Sequence, residues 1–193
     1  MTLDGAFTHL ATLNTDRLRI RQMRIDDTEA VFAFKSDIKV TSCYGQEPHR
    51  TMEETRAWLQ RRLADYECRD SIFWVLTPKD EDNAIGECCL WNFDTSFRCA
   101  EIGYELHSDY WNSGIMAEAL TAVLSFGFDI MNLHRIEANP LATNEQSQRL
   151  LVRLGFKPEG TLRERQFFRG RFVDQIYYGL LGTEWMGTPD RRP

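Results

Sequence analysis

Hydrophobic and polar positions change period several times along this chain, and each change marks an element. In residues 16–22, Leu18 and Ile20 alternate with Arg17, Arg19 and Arg21, the period-2 pattern of a half-buried strand. Asp26, with Glu29 three residues on, predicts a helix start, and that helix runs to about residue 35. Residues 36–50 contain Gly45 and Pro48 and read as a loop. Thr51 and Glu54 form a capping box and predict a helix to about residue 66. Residues 71–77, 84–93 and 99–107 read as three strands with short links, an antiparallel meander. A long apolar helix pattern covers residues 115–131, and a strand follows at 134–139. A further helix over 144–154 has Asn144 as its N-cap and Gly155 just past its end. Two last strands, near 160–168 and 172–181, flank Arg169-Gly170 as a hairpin turn.

The order β-α-α-β-β-β-α-β-α-β-β predicts an α/β (α+β) mixed sheet with helices on both faces. Residues 1–13 read as a flexible leader, 14–186 as one domain, and 187–193 as a flexible tail.

Composition narrows the function. The net charge of −6 argues against a nucleic-acid binder and suits a cationic partner. No apolar run is long enough to span a bilayer, and no signal peptide is visible, so a cytoplasmic protein without a membrane partner is expected. Five cysteines, an odd number with no C-x-x-C spacing, read as free thiols rather than as disulfides or a zinc site. The four histidines are scattered, so no metal is expected.

Candidate chemistry concentrates at residues 110–120. A strand-like segment runs into a turn holding Gly114, and an apolar helix begins at once. The free N–H groups of such a helix start bind anions, phosphates above all. No G-x-G-x-x-G follows a strand. Residues 155–161 have Walker-like glycine spacing but lack the lysine, and they leave a helix rather than enter one. On the preceding strand, alternation puts Glu101, Gly103, Glu105 and His107 on one polar face and Ile102, Tyr104 and Leu106 on the other. A strand inside a mixed sheet carries such a face where it lines a cleft.

From residue 15 to 185 several segments occur in a telling order. They are T-x-R-L-x-I-R from Thr15, Glu101-Ile102-Gly103-Tyr104, the turn and helix from Trp111 to Leu120, Asn144-x-x-Ser147, Leu154-Gly155-Phe156, and Glu159-Gly160-Thr161-Leu162-Arg163. Together they resemble the GNAT superfamily of N-acetyltransferases, and within it the ribosomal-protein N-terminal acetyltransferases of the Rim type. The resemblance implies the GNAT fold, with a mostly antiparallel, splayed central sheet, and acetyl-CoA as cosubstrate. The family's pyrophosphate loop has the form Q/R-x-x-G-x-G/A. Trp111, Gly114 and Met116 stand at those positions, and two of the three depart from the pattern. Backbone N–H groups tolerate such departures, so Trp111, Asn112, Ser113, Gly114, Ile115, Met116 and Ala117 are the expected phosphate site.

The resemblance also implies that strands 99–107 and 134–139 splay apart. Backbone at Leu106 and His107 is then the candidate for holding the pantetheine arm, with Asn139 and Asn144 adding side-chain hydrogen bonds. Arg153 is placed to reach a CoA phosphate. Acetyl transfer to an amine needs a base; Glu101 leads, followed by Glu105 and His107. Some relatives carry a glutamate base where this chain has Gln166, which adds weight to Glu101. Ser147 falls where the family places a residue near the CoA sulfur. The implied acceptor is a protein N-terminal amine, with a small amine such as a polyamine as the alternative. A non-catalytic CoA-binding module is the reading from a different class. The loop 36–50 and the hairpin around Arg169 are the expected walls of the acceptor pocket, and a homodimer is left open.

Overall fold

The computed structural model describes residue 7 and residues 10–187. Eight strands form one sheet: β1 (Leu13–Asn14), β2 (Leu18–Gln22), β3 (Ser71–Pro78), β4 (Gly86–Asp94), β5 (Cys99–Leu106), β6 (Arg135–Ala138), β7 (Lys157–Phe168) and β8 (Arg171–Leu181). Their order is β1-β2-β3-β4-β5-β6-β8-β7, and every pairing is antiparallel except β5 with β6. The helices are α1 (Thr28–Lys35), α2 (Ile38–Thr41), α3 (Met52–Glu67), α4 (Ile115–Ser125) and α5 (Glu145–Arg153).

Strand β3 shows why the sheet needs cover on both sides. Ile72, Trp74 and Leu76 enter a core with Leu120, Val123 and Leu124 of α4 and Leu151 of α5. The intervening Val75 enters a second core with Val31 and Phe34 of α1, Val40 of α2 and Leu59 of α3, and Phe73 packs against it. A strand apolar on both faces is stable only when both are covered.

The chain departs from its local signals at several places. Asp26 does not cap α1. Asp27 precedes that helix, and its carboxylate takes the Arg24 N–H (2.7 Å) and the Arg21 guanidinium (2.6 and 2.9 Å) instead. The expected loop 36–50 contains α2, capped by Asp37 through the Lys39 N–H. The helix expected to residue 131 is α-helical only to Ser125, and Phe126–Ile130 forms a wider π turn. His107 leaves β5, and neither His134 nor Asn139 belongs to β6. Asn144 and Gly155 (φ +97°) bound α5, and Arg169 and Gly170 both have positive φ, as the tight hairpin turn requires.

Part of the expected leader is packed. Phe7 is buried between Tyr66 and Phe93, and Leu10, Ala11 and Leu13 lie against the larger core. The rest of that leader (1–6, 8 and 9) and the tail from 188 lie outside the described residues. Among the described residues, no helix is long and apolar enough to cross a membrane, and no group of three His, Cys, Asp or Glu side chains is placed to hold a metal ion.

Candidate active site

The two parallel strands stay paired for three rungs only: Cys99 with Arg135, Ala100 with Ile136, and Glu101 with Glu137. Beyond Glu101, β5 continues to Leu106 without that neighbour. The cause lies in the chain after β6. Pro140 has no N–H to extend a ladder, and the backbone turns toward β8. Ile176 donates to the Pro140 C=O (3.0 Å), Ala142 donates to the Asp174 C=O (2.9 Å), and Leu141 bridges Gln175. A cleft of about 910 Å³ occupies the gap.

The rim of this gap is made of main chain. The His107 N–H bonds the Ile85 C=O (2.8 Å), which sets the alternation of the β4–β5 ladder. Odd-numbered residues of β5 bond β4, and Tyr104 and Leu106 turn their N–H and C=O toward the opening. Of the two expected arm-binding positions, His107 has its N–H committed to Ile85, just before β4, and its side chain is outside the cleft lining. The Leu106 C=O accepts from the Trp111 indole (2.8 Å). The geometry moves the open backbone back along the strand, to the Leu106 N–H and to Tyr104.

At one end of the cleft stands the N-terminus of α4. Gly114 precedes it in the left-handed region (φ +79°, ψ −1°), as does Asn112 (φ +58°). The first bond across the helix start is from the Glu118 N–H to the Gly114 C=O (3.1 Å), so the N–H groups of Ile115, Met116 and Ala117 come before the ladder. Ile115 has a long 3.4 Å contact to Ser113 Oγ. Trp111, Asn112, Gly114, Ile115, Met116 and Ala117 all line the cleft. Ser113 does not; its hydroxyl donates to the Tyr110 C=O (2.5 Å), and its C=O accepts from Arg17 (2.9 Å). The side chains of Trp111 and Met116 pack into the core. Behind the turn, the Glu118 carboxylate holds the Thr15 hydroxyl, the Arg17 N–H and the Arg17 guanidinium, pinning α4 to the start of β2.

Glu101, Glu105 and Ser147 all line the cleft, but their surroundings differ. Glu101 sits at the branch point of the strands. Its two oxygens accept from Asn92 Nδ2 (2.6 Å) and Asn139 Nδ2 (2.8 Å). Glu105 is buried and bonded to the Lys35 ammonium and the Tyr44 hydroxyl (2.8 Å). Burial pushes the Glu105 carboxyl up, but Lys35 and the hydrogen bonds outweigh it and hold Glu105 ionised below its ordinary value. Ser147 is held by its N–H on Asn144 Oδ1 (3.0 Å), and its hydroxyl meets the Tyr104 hydroxyl at 2.6 Å. Burial pushes the Tyr104 phenol up to about 12, so it keeps its proton at neutral pH.

Tyr104 is the residue that the sequence reading missed. It was placed on the apolar face, and only its contact with Ser147, distant in sequence, shows its polar end at the cleft. Asn144 is fully engaged. Besides capping α5, it donates to the Cys43 C=O (2.9 Å) and ties the segment after α2 to α5. Asn139 differs, because its Oδ1 is buried and without a partner. Arg153 lines the cleft, as does Arg149, which pairs with Glu145 (3.1 Å). Gln166 and, from the expected loop, Val40, Cys43, Tyr44 and Gln46 contribute to the wall; the hairpin tip at Arg169 does not.

These groups fit a long ligand carrying phosphates and amides. Unbonded N–H groups at a helix start suit phosphate, the open edge of β5 suits amide groups, and the orphan Asn139 Oδ1 asks for an N–H donor.

The comparisons agree with this chemistry. The family described as "Acetyltransferase (GNAT) domain" matches residues 17–157. The uncharacterized N-acetyltransferase YoaA of Bacillus subtilis is 36% identical over 169 residues, 88% of this chain and 96% of that protein. The [Ribosomal protein uS5]-alanine N-acetyltransferase of Escherichia coli is 32% identical over 122 residues, 63% of this chain and 62% of that protein. The spermidine N(1)-acetyltransferase of Vibrio cholerae is 23% identical over 170 residues, 88% and 96% of the two chains. Among solved structures, a GNAT-family acetyltransferase from Bacillus anthracis superposes with a TM-score of 0.80 at 26% identity, covering 90% of this chain and all of that one. With the domain matched over most of its length and its sheet parted beside a helix N-terminus, this chain belongs to the GNAT family of N-acetyltransferases.

Proposed function

We propose that this enzyme transfers acetyl from acetyl-CoA to the N-terminal amino group of a protein, with Glu101 as the base. One observation carries the choice of acceptor. Among the described residues, Glu101 and Glu105 are the only acidic ones lining the cleft, and Glu105 is already paired with Lys35. Past Glu101 the wall carries amide side chains, Gln46, Gln166 and Gln175. Amides pair with a peptide backbone, whereas a polycation calls for several free carboxylates. The likeness to the uS5-alanine N-acetyltransferase supports the same reading.

Bound acetyl-CoA supplies the acetyl group as a thioester. The backbone of residues 114–117 holds its phosphates, and the edge of β5 with Asn139 holds its arm. Arg153 adds a cation at the cleft wall. Glu101 takes the proton of the attacking amine on an oxygen already oriented by Asn92 or Asn139. Ser147 and Tyr104 share a hydroxyl proton and present a donor to the departing sulfur. Glu105 braces the acceptor end.

The test is thiol release from acetyl-CoA with N-terminal peptides and small amines as acceptors. Glu101→Gln is expected to cut turnover by ~10²-fold while leaving acetyl-CoA binding intact. Unchanged turnover removes Glu101 as the base. Acetylation of small amines alone overturns the choice of acceptor.

A further inference from the structure

Behind the acceptor end of the cleft lies a cage with the chemistry of an ammonium site. Two buried carboxylates, Glu87 and Glu105, converge on the Lys35 ammonium, Glu87 at 2.9 Å. The Trp58 ring covers it at 3.9 Å from the centroid, and the Tyr44 ring lies at 5.8 Å. Carboxylates joined to aromatic faces are how proteins recognise alkylammonium groups. Here the occupant comes from the chain itself, at the last residue of α1. Burial would discharge Lys35, but Glu105 and Glu87 outweigh it and hold the charge on the ammonium. Burial raises Glu87 well above its ordinary value despite Lys35, and one of its oxygens is buried without a partner. The cage thus sets one cation against two acidic side chains, Glu105 favoured in its charged form and Glu87 disfavoured.

Two of its walls, Tyr44 and Glu105, also line the cleft. Glu105 shares the face of β5 with Glu101, four residues away, roughly 13 Å at the rise of a strand. An acceptor reacting at Glu101 with a second ammonium at that span would place it against Glu105. Long diamines and triamines have this reach.

We propose that Lys35 fills an ammonium subsite of the acceptor cleft from within, and so closes the enzyme to acceptors that carry a second cationic group. The inference rests on the acetyl-transfer reading of the cleft and narrows it. Lys35 works as a specificity residue by occupying a place, and it takes no part in the proton transfer. Removing its side chain should leave a cavity that still wants an ammonium.

The experiment has two arms. In the first, Lys35→Ala is melted with propylammonium and with propanol, which matches it in shape and lacks its charge. Propylammonium is expected to raise the melting temperature of the variant and not that of the wild type, and propanol to do neither. An equal response to both probes, or none, overturns the cage. In the second, spermidine and n-octylamine are offered as acceptors. Lys35→Ala is expected to lower KM for spermidine by roughly tenfold or more, the worth of one new charged contact, and to leave the octylamine and peptide values near those of the wild type. A folded variant with unchanged discrimination overturns the specificity role. If Lys35→Ala does not fold, Lys35→Ala with Glu87→Gln removes one carboxyl along with the cation and is put through both arms. If no acceptor is acetylated by any form, the acetyl-transfer reading fails, and the melting arm still decides the cage.

Discussion

Substitution of Gly114 separates two ways in which the helix start can matter. A Cβ added there meets nothing closer than Arg17 Nη2 at 3.5 Å, an ordinary contact. The penalty therefore comes from φ +79°, where an L side chain crowds its own backbone. That costs about 1–2 kcal/mol for alanine, more for β-branched valine, and less for asparagine, which tolerates the left-handed region. In a domain of this size, alanine should lower the melting temperature by roughly 2–8 °C if the backbone holds its shape. If the backbone relaxes instead, stability is spared and the N–H groups ahead of the Glu118 bond turn away from the cleft. Losing one hydrogen bond to a phosphate costs about 1.5–3 kcal/mol, a ten- to hundredfold loss of acetyl-CoA affinity. Melting curves of the free proteins, with calorimetric titration of acetyl-CoA, read both quantities. The expected order in the combined loss is Gly, Asn, Ala, Val. An alanine variant equal to wild type in both, or asparagine worse than alanine, refutes the conformational argument.

Tyr104→Phe removes the hydroxyl that meets Ser147 and leaves the ring in place. It should lower kcat by roughly tenfold or more with acetyl-CoA affinity unchanged; equal losses in kcat and affinity would mark a packing role instead. Asp82 is held down to about 2 by hydrogen bonds from Arg24 and Arg21 and by their charges. Its folded value lies below the unfolded one, so its contribution is present above about pH 4 and fades as pH falls toward 2. Denaturant midpoints measured from pH 5 downward should drop more steeply for the wild type than for Asp82→Asn, and parallel curves would show that the arginine cluster does not couple to acid stability.

Local signals announced the frame of this molecule and missed the contacts that close it. The cap made by Asn144, Gly155 at the helix end and Arg169-Gly170 in the hairpin act within a turn of their own position, so these roles are readable from neighbours alone. The sides of β3 and β5 follow from alternation in the same way. Alternation cannot say what a face will meet. Glu105 was grouped with Glu101 as cleft lining, yet it meets Lys35, 70 residues away. Alternation puts Tyr104 on the face opposite Glu101, and its partner Ser147 lies 43 residues further on. The helix α2 escaped notice because four residues carry little periodicity. Its cap Asp37 also holds the Ser108 hydroxyl (2.9 Å), so part of its support comes from a distant turn. Trp111 and Met116 look like a degraded loop motif until their packing is seen.

The three-rung seam between β5 and β6 divides one sheet into two groups of strands. Strands β1 to β5 lie on one side of it and β6, β8 and β7 on the other, with the long ladders running through β2 to β5 and between β7 and β8. Regions joined by few bonds open at lower free energy than the units they join. Three rungs make this seam weak in hydrogen bonds, while the larger core runs across it from Ala100 and Ile102 to Ile136 and Ala138. On the proposed function, a ligand arm lying against the open edge of β5 would take the place of a missing strand. The complex would then carry a continuity of hydrogen bonding that the polypeptide alone lacks, and the cosubstrate would be, while bound, a structural part of the enzyme.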